Sequence, residues 1–191
     1  QSVRHIREDL AVLEIPCVDA SILPGHGWRP PEGECIKINT DAGVAMLEHR
    51  GGVGGVARSS STFITAWCKP CPGITDPLVA EATAVREGVV VAMLRGFARV
   101  EIETDCLEVV NLWKTRRNSR SVIAPLLLDI EELAATLFSF DIVHVRRHAN
   151  IPAHLCAKKA CTLEATECWM DPPGFLVTSL MADRTGASSY E

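Results

Sequence analysis

A chain of 191 residues with 47% hydrophobic content can bury one ordinary core and is too apolar for disorder. Its formal charge of −5 excludes the strongly basic character of a non-specific nucleic-acid binder. No apolar run approaches the ~18 residues needed to span a membrane, and with one Tyr and five Phe the core must be aliphatic.

Residues 1–33 open with a short helical pattern, RHIREDLAVLEI, and pass into PGHGWRPPEGE, a Pro- and Gly-rich linker signature. No secretory pattern is present, and the chain begins with Gln, as a fragment or trimmed product would. A nuclear or cytoplasmic monomer is expected. The eight Cys are scattered as buried thiols in a reducing compartment would be, not as a dense disulfide framework.

From Cys35 the signals sharpen. CIKINTDAG alternates Ile36, Ile38 and Thr40 against Lys37, Asn39 and Asp41, which predicts a strand ending near Asp41. GGVGGVARSS predicts a second strand. TFITAWCKP predicts a third, with Phe63, Thr65 and Trp67 on one side. Short breaks make these three antiparallel neighbours. DPLVAEATAVREGVVVAMLRG predicts a helix with Leu78, Ala82, Val85, Val89 and Met93 on one face and Gly96 at its end.

RVEIETD predicts a fourth strand, and CLEVVNLWKTRR a helix capped by Asp105 in a capping box with Glu108. VIAPLLLDIEELAATLF predicts a third helix. FDIVHVRR predicts a fifth strand, and residues 151–164 a last long helix, capped by Asn150 with Pro152 in its first turn. The tail, WMDPPGFLVTSLMADR, ends in a short helix. The expected organisation is a linker over 1–33, one domain over 34–168 and a tail over 169–191. Its order implies an α/β fold, a mixed sheet with helices on both faces.

Three short motifs resemble sites without the context those sites need. WCKPC has redox spacing, but PGITDP cannot continue the helix whose N-terminus lowers a thiol pKa. GGVGGVA has dinucleotide-type glycines, yet a strand follows where a helix is required, so close packing of small residues is the better reading. Cys68 and Cys71 have half of a zinc-site spacing and no second half.

The acids carry more. Asp41, Glu81 and Asp105 lie on the first strand, the first helix and the strand-four-to-helix junction. Singly these are a turn residue, an edge charge and a cap. If strands one and four run parallel side by side, the three carboxylates converge. Such a cluster is costly unless a cation neutralises it. Hard ions such as Mg²⁺ favour oxygen donors, and paired ions serve phosphodiester hydrolysis. Two basic clusters, Lys114, Arg116, Arg117 and Arg120, and then Arg146 and Arg147 beside His148, are either solvated loops or phosphate contacts.

IKINTDAG, GGVGGVARSS, VAEATAVREGVVVAMLRGF, VEIETDCLEVVNLW, IVHVRRHANIPAHLCAKKA and CWMDPPGFLVTSLMADR together resemble the ribonuclease H fold. Within it they resemble the plant ribonuclease H-like domains often found in reverse-transcriptase-related genes. The resemblance covers about Trp28 to Arg184. It implies five strands, the first three antiparallel, with strands one, four and five parallel. It places the family's metal-binding acids on Asp41, Glu81 and Asp105. In active members these acids, with a fourth Asp, hold two Mg²⁺ ions that cut the RNA strand of an RNA–DNA hybrid.

The family pattern N-x-x-A-D-x-L-A reads Asn150, Ile151, Pro152, Ala153, His154, Leu155, Cys156, Ala157 here, so His154 stands at the fourth acid. A neutral imidazole can ligate but brings no negative charge; Mn²⁺ should be tolerated better than Mg²⁺. The resemblance also points to His148 as the loop histidine that aids product release or proton transfer. Asp76, Pro77 and Leu78 replace the Asn residues that contact the hybrid's minor groove, Leu107 replaces a common Gln, and KTRRNSRS is all that remains of a basic protrusion. The expected function is a metal-dependent RNA–DNA hybrid ribonuclease weakened by His154. The alternative is an inactive module that binds nucleic acid or protein.

Overall fold

The computed structural model describes residues 27–45 and 50–185. The helical pattern expected over 4–15 lies outside them. In chain order the elements are β1 (Ile36–Ala45), β2 (Arg50–Arg58), β3 (Phe63–Pro70), α1 (Pro77–Leu94), β4 (Arg99–Thr104), α2 (Leu107–Lys114), α3 (Ala124–Ala134), β5 (Ser139–His144), α4 (Ile151–Ala160), β6 (Glu167–Trp169) and α5 (Gly174–Thr185).

The sheet order is β5-β4-β1-β2-β3-β6. β1, β2 and β3 are antiparallel neighbours, and β4 runs parallel to both β1 and β5. The expected five strands become six: β6 adds antiparallel to β3, through Ala66 opposite Trp169. Three residues are too few to show strand periodicity, which is why β6 escapes a sequence reading.

Helices cover both faces. Ala82, Val85 and Val89 of α1, Val109 and Val110 of α2, and Leu127 and Ile130 of α3 pack on Ile38, Ile102 and Ile142. Each fully buried Ile, Leu or Val there stabilises the fold by about 1.5–3 kcal/mol. On the opposite face, α4 and α5 set Cys156, Ala160 and Leu176 against Val56, Ala66 and Cys68. The glycines of β2 make room for α4: a Cβ on Gly52 or Gly54 would lie 2.6 Å from Ala160 Cβ or 2.5 Å from Cys156 Cβ. The dinucleotide look-alike is therefore a packing seam.

Local details depart from expectation in four places. Phe63 packs with Ala66 and Cys68, opposite Trp67, because a bulge at Ala57/Arg58 shifts the register. Met93 is exposed as α1 ends, and Ala92 is buried in its place. Asp105 caps nothing: Cys106 holds the cap position of α2 without a side-chain bond, so no capping box forms. Asn150 holds the cap position of α4 but makes no side-chain cap bond; its amide is used elsewhere. Asp76, by contrast, caps α1, accepting from the amides of Leu78 and Val79 at 2.8 and 3.1 Å. No helix among the described residues is long and apolar enough to cross a membrane.

Candidate metal centre and active site

β1 and β4 pair in parallel as far as Asn39 opposite Glu103. β4 then ends at Thr104, whereas β1 continues along β2 to Ala45. Asp41 is thus inside its strand, opposite Gly54, and not at the strand's end as the sequence suggested. The departure of β4 opens a notch beside β1. Asp41 enters it from the α4 side, Asp105 from the end of β4, and Glu81 from α1 on the other face.

One ligand oxygen from each of Asp41, Glu81 and Asp105 lies within 4.8 Å of the others, and among the described residues this is the group able to hold a metal ion. Asp41 is only 4% exposed. Burial, then the charges of Asp41 and Asp105, push the Glu81 carboxyl up to about 9. Burial and Asp41 also raise Asp105, against the lowering contributions of Asn150 and Arg147. Without a counter-charge, burial and the neighbouring carboxylates favour the protonated form of Glu81. Glu81 Oε2 is buried with no hydrogen-bond partner. Oxygen donors, mutual repulsion and an orphaned buried oxygen together fit a hard divalent cation. A depression of about 270 Å³ lined by Pro77, Leu78, Glu81, Asp105, Cys106 and Glu108 opens beside the cluster.

His154, one turn into α4, meets the cluster through Asp41: its Nδ1 lies 2.8 Å from Asp41 Oδ2. Arg147 Nη2 stands 3.5 Å from its Nε2. Arginine only donates, so Nε2 accepts and Nδ1 carries the proton toward Asp41. His154 is thus placed against one carboxylate and is not among the three converging groups. His148 sits half-buried in a 3₁₀ turn, Arg147–Ala149, leading into α4.

The two basic clusters differ. Arg146 and Arg147 are exposed at the entrance to α4. In the other, both Arg116 and Arg117 bond Glu131 at 2.9 Å, and Arg116 stacks 3.8 Å over Trp113. Lys114 and Arg120 are exposed. This cluster lies at the far end of α2, roughly 12 Å along the helix from the notch. Cys68 is buried within β3 and α1 begins only at Pro77, so no helix N-terminus lies at the motif to activate the thiol as redox chemistry needs.

Sequence reasoning missed the residues behind the carboxylates. Asn150 Nδ2 donates to Asp105 Oδ1 at 3.1 Å and to the Thr40 carbonyl at 3.0 Å. Asn39 reaches Asn150, and Arg58 reaches Asn39. The available signal was Asn39 itself, a polar side chain two residues before Asp41 and on the same strand face.

Residues 39–160 match the family described as reverse transcriptase-like. A search of curated proteins gives no significant match. Among solved structures, the N-terminal RNase H domain of a Mycobacterium tuberculosis protein is 21% identical, with a TM-score of 0.61 over 67% of this chain and 94% of that one. The RNase H1 of Halobacterium salinarum is 19% identical, with a TM-score of 0.60 over 66% and 96%. An RNase H1 isolated from compost, solved with an RNA/DNA hybrid, is 18% identical, with a TM-score of 0.59 over 66% and 96%. These likenesses carry the fold, an α/β ribonuclease H-like one, and the chain belongs to the reverse transcriptase-like family.

Proposed function

We propose that this chain is a divalent-metal-dependent ribonuclease that cuts the RNA strand of RNA–DNA hybrids, with activity weakened by His154. The observation that carries the reading is the convergence of Asp41, Glu81 and Asp105, with Glu81 Oε2 buried and unpartnered. These three side chains would hold the ion. A bound divalent ion, Mg²⁺ or Mn²⁺, supplies Lewis-acid stabilisation and a nucleophilic water to phosphodiester hydrolysis. The chain's own part is to orient the three carboxylates and release the Glu81 proton when the cation arrives. Arg146 and Arg147 supply phosphate contacts beside the notch. Kinship with proteins solved on RNA/DNA hybrid supports that substrate class.

A labelled hybrid incubated with the protein and Mg²⁺ or Mn²⁺, beside Asp41→Asn, tests the proposal. Cleavage in either metal that the substitution abolishes is expected; cleavage that survives it points to another site.

One observation favours a second reading, a hybrid-binding module without catalysis. His154 Nδ1 occupies a lone-pair direction of Asp41 Oδ2 at 2.8 Å. Salt-sensitive hybrid binding with no cleavage in either metal is the outcome that reading requires.

A further inference from the structure

We infer that α5 is part of what orients Asp105, through a chain of hydrogen bonds that runs by way of Arg58, Asn39 and Asn150; this rests on reading the carboxylate cluster as a metal centre. Arg58 Nη1 donates to Asp183 Oδ2 of α5 at 2.6 Å. Arg58 Nη2 donates to Asn39 Oδ1 at 2.7 Å. Asn39 Nδ2 donates to Asn150 Oδ1 at 3.1 Å and to Glu103 Oε2 at 2.8 Å. Asn150 Nδ2 completes the path to Asp105 Oδ1 at 3.1 Å.

Arg58 donates at both ends, to Asp183 on one side and to Asn39 on the other, and from Arg58 onward every bond points toward the Asp105 anion. An amide has an acceptor end and a donor end, so the order fixes which way each Asn faces. An inverted Asn39 would set its oxygen against the Glu103 carboxylate and the Asn150 oxygen. An inverted Asn150 would set its oxygen against Asp105 and the Thr40 carbonyl. Asn39 and Asn150 are 0% exposed and Arg58 is 4% exposed, so water does not readily replace a lost member.

Asp105 needs such a support because β4 ends one residue earlier, leaving no ladder neighbour to hold it. Arg58 in turn needs Asp183, since a buried guanidinium without a carboxylate is driven toward solvent. Asp183, Arg58, Asn39 and Asn150 are positioning residues: they act on the centre through Asp105 and through the Thr40 carbonyl beside Asp41.

The test compares three variants with the unmodified full chain. Arg58→Met/Asp183→Leu removes both charges together and preserves bulk; Asp183→Asn is the milder break; Asn150→Ala is the reference. Two quantities are read: exchange of the Asn39 and Asn150 side-chain amide protons by NMR in chelator, and affinity for Mn²⁺ alone by electron paramagnetic resonance. Asn150→Ala should weaken Mn²⁺ binding by about 10–100-fold. The double variant should accelerate Asn150 amide exchange and weaken Mn²⁺ binding by about 3–10-fold, the smaller share expected of a more remote partner.

A double variant that is less heat-stable, yet keeps native Asn150 exchange and Mn²⁺ affinity within twofold, overturns the inference, for α5 would then be a structural prop alone. Faster exchange with unchanged affinity overturns it too. If the double variant does not fold, Asp183→Asn is judged by the same two readings. Failure of the unmodified protein to bind Mn²⁺ sinks the metal reading instead, and amide exchange then decides the chain of orientation by itself.

Discussion

At the residue scale, the proposed function turns on His154 and Glu81, in opposite senses. His154 contributes a donor where a fourth carboxylate would add charge, so His154→Asp should raise Mg²⁺-supported cleavage by about 10–100-fold. It should also lower the Mn²⁺-to-Mg²⁺ activity ratio; initial rates in each metal decide this. Glu81 makes a pH prediction. Its folded pKa of about 9 lies above the ordinary 4.5, so folding favours the protonated form. The associated stability is present below about 4.5 and is lost as pH rises through about 9. Asp105 is shifted in the same direction. In chelator the melting temperature should therefore fall with rising pH across this window. Glu81→Gln should flatten the slope, and divalent cation should reduce it. A slope identical in Glu81→Gln and the parent chain rejects the assignment.

At the scale of elements, β2 is the part least tolerant of change. Gly54 lies opposite Asp41 and under Cys156, so Gly54→Ala drives a methyl into α4 and displaces the strand that carries the first acid. Overpacking of this kind costs about 1–3 kcal/mol, and a urea midpoint lowered to match is the expected result. Gly33→Ala meets no neighbouring atom but sits at φ 57, and should cost less, about 1 kcal/mol. The long elements were legible because their periods repeat: Ile36 and Ile38 alternate across β1, and Ala82, Val85 and Val89 step along α1. What stayed hidden depends on partners distant in sequence. Asp105 and Asn150 sit at or beside helix starts, where capping is the local expectation, yet their side chains turn to each other across 45 residues. The bulge that reverses Phe63 and the three residues of β6 are likewise set by their neighbours in the sheet.

For the whole molecule, the C-terminal part is joined to the sheet by β6, by Leu176 in the α4-side core, and by the Asp183–Arg58 pair. Ending the chain at residue 173 would remove Asp183, the carboxylate paired with Arg58 at 2.6 Å, together with the packing of Leu176. The expected outcome is loss of cooperative unfolding, read by circular dichroism in urea. The converging acids were legible by element, one on the first strand, one on the first helix and one at the strand-four-to-helix junction, although Asp41 lies inside β1 and not at its end. Their mutual distance was not, since it depends on where β4 parts from β1.

Because Asp41 comes from β1, Asp105 from the end of β4 and Glu81 from the helix laid over them, no intermediate in which α1 is undocked can offer all three oxygens at once. Ion uptake should therefore lag behind secondary-structure formation during refolding and coincide with the docking of α1. A cation present from the start would then act as a ratchet on completed chains, not as a nucleus for them.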